Sequence, residues 1–116
     1  MGARATITMI PQSKTIEDKE NCPSIYVHWH GAMVEKLLDK AKEVMGDRLG
    51  DDDYTFARLV QVIANEIDCF ADTRRYGNKS IGVGTYGTVY SGDDYGDYFV
   101  NNNLDIIEHI KGDWQI

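Results

Sequence analysis

The hydrophobic period of the chain changes at Gly31. Ahead of it, residues alternate. Ala5, Ile7 and Met9 oppose Thr6, Thr8 and Ile10 within Ala3 to Ile10, and Ile25, Val27 and Trp29 oppose Tyr26, His28 and His30 within Ser24 to His30. A period of two belongs to a strand, whose successive side chains point to opposite faces, so the more apolar set is expected to face a core. Beyond Gly31, Met33, Val34, Leu37, Leu38, Ala41, Val44 and Met45 recur at three and four with charged residues between them, which is the stripe of a helix, and Gly46 is placed to end it.

A second helix is expected over Tyr54 to Ile67. Phe56, Leu59, Val60, Ile63 and Ile67 form its apolar stripe, with Asp53 as N-cap and the run Asp51-Asp52-Asp53 complementing the positive end of its dipole. A calcium loop is the weaker reading of those aspartates, because it requires alternating oxygen ligands and a distal bidentate carboxylate. Tyr54, Arg58, Gln61, Asn65 and Asp68 recur on another side of this helix, as a stripe that faces solvent or makes contacts.

Pro11 ends the first strand, and Gln12 to Pro23 reads as a polar, exposed, mobile connection. A third strand is expected over Ser80 to Thr85, then a hairpin of Tyr98 to Asn101 and Leu104 to His109, turned through Asn101-Asn102-Asn103 because Asn tolerates left-handed backbone angles. Helices grouped between strands predict one α+β domain over 1–116: a mostly antiparallel sheet of about five strands with two helices packed on one face, in the order β-β-α-α-β-β-β.

Charge narrows the partners. With 12 basic and 19 acidic residues and a net charge of -7, the surface is unsuited to direct nucleic-acid binding, whose affinity comes from Lys and Arg. Cys22 and Cys69 lack any metal or redox spacing, which fits a reducing cytoplasm. No secretory h-region or membrane-length apolar run is read, so no membrane association is expected. Met1-Gly2-Ala3-Arg4-Ala5-Thr6 fits the permissive myristoylation pattern, but Thr6 falls inside the first strand.

Three motifs touch chemistry. His28 and His30, two apart on a strand, project from one face and supply two ligands of a metal site, one short of the three a mononuclear site needs; no metal and no cofactor is expected. Gly82-Val83-Gly84-Thr85-Tyr86-Gly87 spells G-x-G-x-x-G, but a helix must begin in that motif for its amides to meet a pyrophosphate, and the continuation TVYSGDDYGDY is not helical. Neither cysteine sits in a nucleophile motif, and no catalytic residues are assigned.

More distinctive is the stretch from Tyr86 to Asp105, which carries Tyr86, Tyr90, Tyr95, Tyr98, Phe99 and Asp93, Asp94, Asp97, Asp105, with no Lys or Arg between Lys79 and Lys111. Tyrosine on an exposed loop gives contact area, and unrelieved aspartate favours a basic partner. The alternative is tyrosines packed in the sheet and aspartates that keep a loop soluble.

Met1-Gly2-Ala3-Arg4-Ala5, Tyr26-Val27-His28-Trp29-His30-Gly31, Phe56 to Asn65 and Gly82-Val83-Gly84 together resemble a group of small bacteriophage and prophage proteins with the motifs M-G-x-R-A, Y-x-H-W-x-G and A-R-L-x-Q-V-I. The resemblance implies an accessory protein acting in the cytoplasm of a host bacterium. Small acidic phage proteins often inhibit host defence, as anti-CRISPR and anti-restriction proteins do.

The leading expectation is therefore a non-enzymatic inhibitor that meets a basic surface of a host protein through Tyr90, Asp93, Asp94, Tyr95 and Asp97; homodimerisation is left open. The alternative is a nucleotide-sequestering protein with Tyr26, His28, His30 and Arg58 as pocket residues, aromatic faces and imidazoles holding a base and the guanidinium a phosphate. A small enzyme using His28 and His30 comes third.

Overall fold

The computed structural model describes residues 3–66, 81–89, 94–113 and 115. Five strands, β1 (Ala5–Met9), β2 (Pro23–Val27), β3 (Ile81–Thr85), β4 (Asp97–Val100) and β5 (Ile106–Ile110), and two α-helices, α1 (Val34–Met45) and α2 (Asp52–Glu66), follow the expected α+β order. The sheet runs β3-β2-β1-β4-β5. Three pairs are antiparallel, while β4 joins β1 in parallel with Ile7 opposite Tyr98 and Thr8 opposite Phe99. The sheet is thus mixed. A parallel neighbour demands a crossover connection, and β2, both helices and β3 lie between β1 and β4 in the chain.

The alternation read from the sequence sets the two faces. Ala5, Ile7 and Met9 of β1, Ile25 and Val27 of β2 and Tyr98 and Val100 of β4 share a core with Val34, Leu37, Leu38 and Ala41 of α1 and Leu59, Val62 and Ile63 of α2. Burying each of the larger side chains contributes about 1.5–3 kcal/mol. Both helices therefore cover this face, as expected.

The opposite face is also covered. Gln12 to Pro23 is no open loop: it contains a 3-10 helix over Ile16–Asn21, and Ile16 and Cys22 pack with Ile10, Phe99 and Tyr86. Beneath this layer Thr6, Thr8 and Ser24 are fully buried, and they stay tolerable because Thr8 and Ser24 hydroxyls bond each other at 2.8 Å and Thr6 Oγ1 donates to Asp97 at 2.6 Å. The polar side of the alternation is therefore an inner layer.

Two local expectations are corrected. Asp51, not Asp53, caps α2, since its Oδ1 accepts from Tyr54 N at 3.3 Å and the helix begins at Asp52. The second strand ends at Val27, so His28, Trp29 and His30 do not continue its alternation. The cause is Gly31, whose N–H bonds Ala3 O at 2.6 Å; a Cβ there would lie 2.5 Å from that oxygen and 2.9 Å from the Tyr95 ring. The chain bends to bring Gly31 into this contact. Ile67, Asp68, Cys69 and Ser80 lie outside the described residues.

Candidate functional site

The expected acidic recognition surface is largely internal. Asp94 is 6% exposed and accepts from Arg4 N and Nε, each at 3.0 Å, and from Arg4 Nη2 at 3.3 Å. These bonds hold its carboxyl below the usual value, against the opposing effect of burial. Asp97 is 8% exposed and accepts from Thr6 Oγ1 and, at 3.0 Å, from Tyr86 Oη. The parallel β1/β4 pairing explains both, because it sets Asp97 opposite Thr6 and carries the preceding residues past Arg4. Tyr95 is half-buried against the core, its N–H donating to Arg4 O at 2.9 Å. Tyr90 and Asp93 lie outside the described residues.

The second set of candidates does not assemble either. Tyr26 hydroxyl and His28 Nδ1 are hydrogen-bonded, and the His28 ring meets Trp29 edge-on at 4.4 Å. Burial, helped by the positive charge of Arg4, pushes the His28 pKa down, so the neutral imidazole is favoured. His30 precedes a short 3-10 helix, Gly31–Met33, and its buried Nδ1 has no hydrogen-bond partner among the described residues. His109 stacks on Tyr98 at 3.8 Å, with Nε2 and Tyr95 O 2.9 Å apart. Among the described residues no three His, Cys, Asp or Glu side chains are grouped to hold a metal ion. Arg58 belongs to α2 on the helix-covered side, whereas Tyr26 alternates with Ile25 and Val27 and faces away from the helices.

Of the exposed large apolar side chains among the described residues, Met33, Val44, Tyr54 and Val83 are scattered over other elements, and the remaining three lie together along β5. It forms one edge of the sheet, and Ile106, Ile107 and Ile110 are 42%, 49% and 41% exposed. Its pairing shifts register between Phe99 and Val100, which leaves Ile107 as the extra residue of a bulge. At the start of β5 a cavity of about 220 Å³ opens towards α1, with Leu38, Leu104 and Ile106 as apolar lining and Glu35, Asp39 and Asp105 as acids. Lys42 Nζ reaches Asp105 Oδ1 at 2.8 Å and holds that carboxyl below the usual range, while Glu35 and Asp39 are exposed.

Sequence reasoning missed this edge. The signal was the adjacent pair Ile106-Ile107, apolar residues that point to both faces of a final strand and so break its alternation. No protein-family model, curated protein or solved structure matches the chain.

Proposed function

We propose that this chain is a non-enzymatic binding protein that takes a basic, extended segment of a host protein along the outer edge of β5, which pairs with no further strand among the described residues, and that it serves a phage as an inhibitor of a host defence complex in the bacterial cytoplasm. The observation that carries the binding mode is the edge itself: three part-exposed isoleucines beside an acidic cavity with an apolar floor. An unpaired strand edge offers main-chain hydrogen bonds to an added strand, and side-chain pockets beside it supply selectivity. Glu35 and Asp39 would meet a Lys or Arg whose aliphatic stem lies on Leu38 and Ile106. The net charge of -7 supports the choice of a basic partner.

The inhibitor role rests on the resemblance to small phage proteins. Tagged chain used to capture proteins from a bacterial lysate, followed by mass spectrometry, identifies the partner. With that partner purified, the double change Glu35→Gln and Asp39→Asn is expected to slow association severalfold and to flatten its dependence on ionic strength. An unchanged on-rate at low salt would refute the acidic cavity as the recognition surface.

A further inference from the structure

A second cavity, about 320 Å³, lies between the end of α1 and one side of α2 and is unconnected with the β5 edge in its residues. Val44, Met45 and Val62 give it an apolar wall, and Arg48, Arg58, Gln61 and Asn65 give it polar groups. Arg58, Gln61 and Asn65 are the stripe that recurs at three and four along α2, so one helix face places all three at the opening.

Its charge is out of character with the chain. Acids outnumber bases 19 to 12, yet among the described residues neither Arg48 nor Arg58 has a carboxylate within ion-pair distance. Both are nevertheless held. The Arg48 guanidinium lies 4.7 Å from the centroid of the Tyr54 ring, and Arg58 Nη1 donates to Gln61 Oε1 at 3.2 Å. Guanidinium groups kept in place without a carboxylate retain donors for an anion, and their planar forks match phosphate oxygens.

We infer that this cavity binds a small organic phosphate of mononucleotide size, with Arg48 and Arg58 on the phosphate. A phosphate dianion fits two guanidinium groups better than a carboxylate does, having more oxygens and more charge. Because Gln61 Oε1 already accepts from Arg58, its amide nitrogen carries the available donors, and the Asn65 amide offers both a donor and an acceptor. Such amides pair with the edge of a nucleobase, and Val44, 57% exposed, provides most of the apolar surface that its ring covers, with the buried Met45 and Val62 alongside it. The volume sits at the lower end of the range typical of small-molecule sites, about 300–1,000 Å³.

Calorimetric titration of the chain with AMP, GMP, CMP and UMP tests this, with inorganic phosphate and adenosine as comparison probes. At least one nucleotide is expected to bind, with adenosine and inorganic phosphate each about tenfold weaker or worse. Arg48→Gln and Arg58→Gln, both at exposed positions, are each expected to weaken that binding about tenfold while leaving the melting temperature of the free protein unchanged, and Lys36→Gln is expected to change nothing. Three results overturn the inference: no heat with any nucleotide at millimolar concentration, inorganic phosphate binding as tightly as the nucleotides, or binding that survives both arginine changes.

Discussion

Arg4 and Asp94 lie at the ends of segments 90 residues apart and are joined by three hydrogen bonds, one from the backbone N–H of Arg4 and two from its guanidinium. The pair fastens the start of β1 to the approach to β4, the two strands that run parallel.

Replacing Asp94 with Ala removes the acceptor of all three bonds and is expected to lower the unfolding free energy by about 1–3 kcal/mol. Because the folded carboxyl is held below its ordinary value of 3.8, its contribution is present above that pH and disappears as pH falls through the lowered value. Urea unfolding of wild type and Asp94→Asn across pH checks both points. The gap between the two proteins is expected to be constant near neutrality and to close in acid below about pH 3.8.

Tyr86 gives the complementary alkaline prediction. Burial, then the charge of Asp97 and the hydrogen bond to it, push the phenol up to about 12 from the usual 10.0. A raised pKa stabilises the protonated folded form, so this contribution is present below pH 10 and is lost as pH rises from 10 towards 12. Spectroscopic titration of tyrosinate is expected to show a late-ionising tyrosine that is missing in Tyr86→Phe. That variant also loses the bond to Asp97, at a cost of about 1–2 kcal/mol near neutral pH.

Gly96 is expected to be intolerant of any side chain. Its φ is +92°, and a Cβ would fall 2.0 Å from Ile110 O and 2.7 Å from Gly112 N. Both atoms are backbone, and Ile110 is fixed by pairing with Asp97, so neither can yield cheaply. Gly96→Ala should therefore cost more than about 3 kcal/mol, read as a fall in the urea midpoint or in soluble yield.

Period and punctuation made most of the elements legible in advance: the alternation of β1 and β2, the α1 stripe ending at Gly46, and the hairpin turn after Asn101 reappear, although the left-handed backbone angle of that turn falls on Leu104, at φ 62°, and not on an asparagine. Their assembly was less legible. Alternation says that Thr6 and Thr8 share a face but not whether water or protein covers it, and here Cys22, Ile16 and Tyr86 do. The same gap makes Asp94 and Asp97 look like exposed loop acids until β4 is known to lie beside β1, where both are buried. His30 was misassigned to a strand because the close approach at Gly31 depends on Ala3 and Tyr95, which are remote in sequence.

The bulge at Ile107 makes the last prediction specific. A bulged edge strand twists away from flat pairing, a device that limits open-ended self-association, while Glu108 adds a charge to the same edge. Ile107 is 49% exposed, so Ile107→Lys sacrifices only part of the burial of one side chain and is expected to change folding stability by less than about 1 kcal/mol. A lysine at that point nevertheless opposes a basic segment by charge and removes the apolar surface on which an added strand would rest. Capture of the partner by Ile107→Lys should fall at least tenfold relative to wild type, with the urea midpoint nearly unmoved. If the variant captures the partner as well as wild type does, the β5 edge is not the docking site, whatever becomes of the acidic cavity beside it.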